Sequence, residues 1–210
     1  MKITKMKSPL AILFAILLLM MGTQMAFAAP ILQDNFNTEN GGVGVLNYTG
    51  FTNWTVSYGT GTVDLIGDGF FDFYPGNGLY VDLDGSTNQP GLFSSIINFA
   101  PGTYVVSFNL GDSYYNNPDY NYPPNTVTIQ MGMGDFNVDI TRNSNNNLDL
   151  FTYTFTISHA GPLTFQNDGN DNVGAILDNV TVSAVPEPIS LLLFGLGLVG
   201  LAGVRRKFKK

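Results

Sequence analysis

The sequence predicts an all-β protein, a single antiparallel β-sandwich of the jelly-roll kind with one apolar segment at each end of the chain. Three observations carry this. Apolar and polar residues alternate with period 2 over short stretches. The cleanest is Phe151-Thr152-Tyr153-Thr154-Phe155-Thr156-Ile157-Ser158, with aromatic and aliphatic side chains on one face and hydroxyls on the other. The chain carries 24 Gly and 11 Pro among many Asn and Thr, a composition suited to turns. No stretch has the period of an amphipathic helix, and no internal repeat of the kind that builds solenoids or propellers is present. With 44% hydrophobic and 13% aromatic residues the chain can bury a core, which excludes wholesale disorder.

Taken in order, strands are predicted at Trp54–Tyr58, Thr62–Ile66, Leu79–Leu83 and Leu92–Phe99, separated by Gly, Pro, Asn and Asp. The turn Ala100-Pro101-Gly102 then opens a strand on which Tyr104, Val106, Phe108 and Leu110 share one face. Thr126–Met131, Phe136–Ile140, Phe151–Ser158, Leu163–Gln166 and Ala175–Val182 complete about ten short strands in about 155 residues, the density of a sandwich. Trp54 is expected in the core. Thr152, Thr154 and Thr156 are expected to face solvent, as Thr does on an antiparallel strand.

Charge separates the ends from the middle. Lys2, Lys5 and Lys7 precede the apolar run Leu10–Met21, and Ala26-Phe27-Ala28 follows. The run has 12 residues, a signal-peptide length and short of the roughly 20 that a membrane span needs. Signal peptidase is expected to cut after Ala28 and leave Ala29 first, so the protein reads as exported. At the other end Pro186-Glu187-Pro188 leads into Ile189–Val204, an uncharged apolar run closed by Arg205-Arg206-Lys207. As a helix that run measures about 24 Å against a bilayer core of about 30 Å. It is a marginal span, weakened by glycines and held at its cytoplasmic end by the basic residues. The expected organisation is residues 1–28 signal peptide helix, 29–184 sandwich, and 185–210 tail with a single transmembrane helix.

This tail resembles the PEP-CTERM sorting signal, also known as the ice-binding protein C-terminal domain, over Val185 to Lys210. The resemblance implies recognition and processing at Pro186, Glu187 and Pro188 by an exosortase, a transpeptidase-like membrane enzyme of exopolysaccharide-making Gram-negative bacteria. Arg205, Arg206 and Lys207 would be the basic stop. It further implies brief anchoring in the inner membrane, then delivery to the cell envelope, surface or extracellular matrix. The family label describes the tail and says nothing about ice.

Between residues 29 and 184, Arg142 is the only basic residue against 15 acidic ones, so the segment cannot neutralise phosphates and nucleic-acid binding is excluded. Calcium or a neutral polar ligand suits it better. Cysteine is absent, which excludes disulfides, thiol catalysis and cysteine-bound metals. The one histidine, His159, sits in His159-Ala160-Gly161-Pro162, an expected hairpin turn, and nucleophilic catalysis has little else to use. Glu39 is the only Glu of the segment, and no acid has the apolar surround of a glycosidase acid. The protein therefore reads as non-enzymatic. Asn167–Asn172 and Asp82–Ser86 are oxygen-rich and suit either turns or calcium. An EF-hand starting at Asp168 fails, with Val173 where Gly is required and Asn179 where the closing acid belongs. Tyr114, Tyr115, Tyr120 and Tyr122 lie in a loop with Asn and Pro; such tyrosines stack on sugar rings or simply decorate a surface.

Three short segments resemble the galactose-binding-like jelly roll of carbohydrate-binding modules. They are Leu32-Gln33-Asp34-Asn35-Phe36 with Trp54 downstream, Phe99-Ala100-Pro101-Gly102-Thr103-Tyr104, and Leu177-Asp178-Asn179-Val180-Thr181-Val182. The resemblance implies the fold, and folds do not fix function. Parity along the last segment groups Asp178 with Ile176, Val180 and Val182, so its carboxylate is expected to point into the core. A buried carboxylate must be paired, protonated or metal-bound, and one arginine makes a salt bridge a poor answer. Structural calcium is the expected cofactor, and the resemblance implies Asp34 or Glu39 as the partner acids beside the first strand. A β-bulge that turns Asp178 outward is the competing arrangement. The leading reading is an exported, non-enzymatic surface or matrix protein. Its expected partners are signal peptidase, an exosortase-type enzyme and exopolysaccharide. A specific carbohydrate-binding module that uses the four tyrosines is the first rival, and a polysaccharide hydrolase the second.

Overall fold

The computed structural model describes residues 29–57, 59, 61–87, 89–113, 126–143, 147–168 and 174–186. Its strands are β1 (Leu32–Asp34), β2 (Trp54–Ser57), β3 (Asp64–Gly67), β4 (Leu79–Asp82), β5 (Leu92–Phe99) and β6 (Gly102–Asp112). β7 (Thr126–Met133), β8 (Phe136–Asn143), β9 (Asp149–Ile157), β10 (Gly161–Asn167) and β11 (Ala175–Ala184) follow. Every pairing between them is antiparallel. A six-stranded sheet has the order β3-β4-β11-β6-β9, with β1 also on β11; a five-stranded sheet has the order β2-β5-β10-β7-β8. The alternation correctly predicts an all-β antiparallel sandwich. β1 was not among the predicted strands, because its three residues are too few to show a period.

The alternating residues become the core. On β6, Tyr104, Val106, Phe108 and Leu110 are all buried, and the Tyr104 hydroxyl donates to the Ala100 carbonyl at 2.7 Å, locking the turn before the strand. Trp54 lies flat on Phe93, centroids 4.6 Å apart and planes 12° apart, with Phe36, Phe51 and Phe165 around the pair. Stacking Phe136 on Phe155 joins β8 of one sheet to β9 of the other. Ala28–Val185 forms a compact unit, and the principal core runs from Leu32 to Val182, so residues 29–184 contain both sheets and the whole core. The hydroxyls of Thr152, Thr154 and Thr156 are exposed as expected.

One parity is overturned. Against β6 the register of β11 slips between Asp178 and Thr181, and Asn179 takes φ +52°, a left-handed conformation that Asn tolerates. The bulge falls where the other edge of β11 passes from β4, paired at Ile176 and Leu177, to β1, paired from Val180. Leu177, Val180 and Val182 therefore face the core, whereas Ile176 joins Ile66, Tyr74 and Tyr80 in a second cluster on the outer face. Asp178 follows Ile176, away from the core, yet it is only 1% exposed.

Candidate functional site

The expected acids near the first strand serve the chain itself. Asp34 ends β1, and its Oδ1 accepts the Phe36 amide at 2.9 Å. That local turn sets Phe36 at φ +58° and into the core. Asp34 Oδ2 accepts from Trp54 Nε1 at 2.9 Å and from Asn53 Nδ2 at 3.1 Å. Glu39, in the short 3-10 turn Glu39–Gly41, receives the Thr52 amide on both oxygens, at 2.9 and 3.2 Å. Both acids, with Gln33, Asn35, Thr38 and Asn53, line a shallow polar pocket; Asp178 does not.

Asp178 accepts only from its neighbour, Asn179 N at 2.7 Å and Nδ2 at 3.0 Å, and no salt bridge reaches it among the described residues. Burial, reinforced by the charge of Asp34 and opposed by the Asn179 amide, pushes its carboxyl up to about 7. The calcium set expected from Asp178, Asp34 and Glu39 is not assembled. The oxygens of Asp34 and Glu39 are engaged by N–H donors, and no cluster of three or more His, Cys, Asp or Glu side chains able to hold a metal occurs among the described residues. These residues do not fit calcium as a three-carboxylate site. The two oxygen-rich segments do meet, Asn167 Nδ2 donating to Asp84 Oδ2 at 3.4 Å.

Arg142 on β8 is buried and braces the two sheets. It reaches Asp112 of β6 at 3.7 Å and Asp149 of β9 at 3.2 Å, and it donates to the Asn147 carbonyl. Tyr74 joins the same cluster, its hydroxyl donating to the Asp112 carbonyl at 2.9 Å and receiving the Asp112 amide. Burial raises the Tyr74 hydroxyl above the ordinary tyrosine range, so it stays protonated as a donor. The only sequence signal for this brace was a single arginine in an acidic domain.

His159 lies in the turn between β9 and β10 and is 80% exposed. Ser158 and Asp135 stand beside it, but not as a triad. Ser158 Oγ donates directly to Asp135 Oδ2 at 2.6 Å, and His159 Nδ1 faces both Ser158 Oγ (3.0 Å) and Asp135 (3.5 Å). A triad uses opposite ring nitrogens for base and orienter. The cluster clips the β9–β10 turn to Asp135, and the donated hydrogen bonds hold that carboxyl well below its usual range.

Tyr114, Tyr115, Tyr120 and Tyr122, Ala26 and Ala28, Glu187 and Pro188, and Arg205, Arg206 and Lys207 lie outside the described residues. Pro186 is described and exposed, beyond the end of β11, and Ala29 is exposed at the other end. Among the described residues no helix is long and apolar enough to cross a membrane; the run from Ile189 to Val204 is not among them.

The described residues thus form an all-β sandwich, and the chain continues beyond its last strand. Residues 184–207 match the family model of the PEP-CTERM protein-sorting motif. No curated protein matches the chain. Among solved structures it is similar to the CBM22-1 xylan-binding domain of Paenibacillus barcinonensis Xyn10C, at 11% identity over 77% of this chain and 97% of that one, TM-score 0.48. It is also similar to TmCBM61 in complex with β-1,4-galactotriose, at 13% identity over 75% and 99%, TM-score 0.45. A third is the CBM22-1–GH10 portion of Clostridium thermocellum Xyn10B, complexed with xylohexaose. There the identity is 11% over 73% of this chain but 28% of that one, TM-score 0.46.

Proposed function

We propose that this is an exported, non-catalytic surface or matrix protein, sorted and processed at its C-terminus by an exosortase-type membrane enzyme in a Gram-negative envelope. The match of residues 184–207 to the sorting motif carries this reading. The motif begins where β11 ends at Ala184, so cleavage at Pro186 to Pro188 would leave every described strand intact. Replacing Pro186, Glu187 and Pro188 together with alanine tests it. Prolines there contribute nothing to a sheet ladder, so folding is unaffected. The expected result is precursor retained in the membrane fraction and lost from the surface. Normal maturation of that variant would sink the assignment.

The sandwich itself is proposed to hold neutral glycan of the surrounding exopolysaccharide. Its one basic residue against 15 acids repels acidic polymers. His159 is bound through one nitrogen to both neighbours, and Asp34 and Glu39 are engaged by N–H donors, which favours a holding role over a catalytic one. Retention of residues 29–184 by neutral polysaccharides, lost when Tyr114, Tyr115, Tyr120 and Tyr122 become alanine, would make the tyrosine loop the contact surface. Turnover of those polysaccharides would instead make the protein a hydrolase.

A further inference from the structure

We propose that the connection from β3 to β4 presents Phe71 as a preorganised platform for one neutral hexose ring of a polysaccharide; this rests on the glycan-holding reading above. The loop is held by its own hydrogen bonds. Gly67 and Phe70 exchange backbone hydrogen bonds at 2.8 and 3.0 Å around Asp68 and Gly69, at φ +48° and +85°. Paired left-handed residues of this kind make tight hairpin turns. The Tyr80 hydroxyl then receives the amides of Phe73 (2.5 Å) and Tyr74 (3.1 Å) and donates to Asp72 Oδ1 at 3.0 Å. Phe70 rests on Gly44, where even a Cβ would come within 2.6 Å of its ring, and meets Phe71 edge to face at 4.9 Å.

Phe71 is the anomaly. Its φ is +50°, a conformation that L side chains avoid, and its side chain is 55% exposed. Phe36 has a comparable φ but is fully buried, so core packing offsets its strain. At Phe71 the edge-to-face contact with Phe70 is set against that strain, while more than half of the residue is left to solvent. The size and charge of the surroundings choose the occupant. One exposed ring matches one sugar ring and falls far short of the roughly 800 Å² per partner that a stable protein interface needs. The Asp68 carboxylate, exposed at the tip of the same turn, can accept hydroxyls and repels acidic polymers, while Asp72 is tied inward by Tyr80 and by the Gly69 amide at 3.4 Å.

Residues 29–184 would be run by affinity electrophoresis through neutral glucan, mannan and galactan, with polygalacturonate and polylysine as charged controls. Phe71→Gly is the decisive variant, because glycine accepts positive φ freely. Expected are an unchanged or higher Tm together with about a tenfold loss of affinity for a neutral polymer, the size of one aromatic contact. Phe71→Trp should retain binding. Binding by Phe71→Gly equal to wild type would overturn this inference and leave the glycan reading standing. Failure of the unaltered domain to bind any neutral polymer would overturn both. Phe71-dependent binding to polygalacturonate or polylysine alone would replace the neutral sugar with a charged ligand and overturn the proposal.

Discussion

Trp54→Ala is expected to destabilise the sandwich by more than any other single change considered for this protein. Removing a buried tryptophan costs about 3–5 kcal/mol through lost transfer energy and the cavity left behind. Here the indole also stacks on Phe93 at 4.6 Å and packs near Phe36 and Phe165, which leaves little room for collapse. A second cost is added. Nε1 donates to Asp34 Oδ2 at 2.9 Å, so truncation leaves a buried carboxylate short of a donor, worth roughly 1–3 kcal/mol more. Domains are stable by about 5–15 kcal/mol, so the variant should lose much of that margin and melt at least about 10 °C lower. Trp54→Phe separates the two costs, keeping most of the stack and losing only the N–H. Its loss should fall by about half or more when Asp34 is also changed to Asn, since the two share one interaction. Equal losses for Trp54→Phe and Trp54→Ala in thermal melts would show that packing is not the main term.

The strands were legible wherever burial was strictly one-sided. Phe155 and Ile157 on β9, and Tyr104 to Leu110 on β6, sit on the core side that their alternation assigns. What escaped was non-periodic. β1 is short, and its role depends on Asp34 meeting Trp54, a contact across 20 residues of chain that no local pattern announces. The bulge in β11 hid for a different reason. One extra residue at Asn179 exchanges the faces, and the only local sign is an Asn able to take φ +52°. The β3–β4 connection offered no periodic pattern to read. Phe70, Phe73 and Tyr74 are apolar without period, because they close over the outer-face cluster of Ile66, Tyr80 and Ile176 instead of joining a sheet. Of the proposed sites, the sorting motif was readable because linear order alone defines it. The acids near β1 came only from the resemblance, as partners of Asp178, and their hydrogen bonds to Thr52, Asn53 and Trp54 were not readable because the tertiary fold sets them.

The second large effect is expected at Asp178, as a dependence of stability on pH. Its carboxyl is pushed up to about 7 in the folded chain, chiefly by burial and further by Asp34, against 3.8 for the free group. The folded state therefore binds this proton more tightly than the unfolded state does. Below about pH 4 both states are protonated and the group is neutral to stability. Between about pH 4 and 7 the unfolded chain ionises while the folded chain holds its proton, so stability falls with rising pH. Above about pH 7 the full cost is present and constant, a few kcal/mol at most. Asp178→Asn removes the titration while keeping an acceptor for the Asn179 amide; the Asn179 side chain need only turn its oxygen inward. The variant should match wild type near pH 4 and melt several degrees higher at pH 8. Calcium should leave the wild-type Tm unchanged, because Asp34 and Glu39 are engaged by Trp54, Asn53 and Thr52 and do not complete a cage. A calcium-dependent rise in Tm at pH 8 that Asp178→Asn abolishes would reverse this account, making the carboxylate a metal ligand held ionised by its cation.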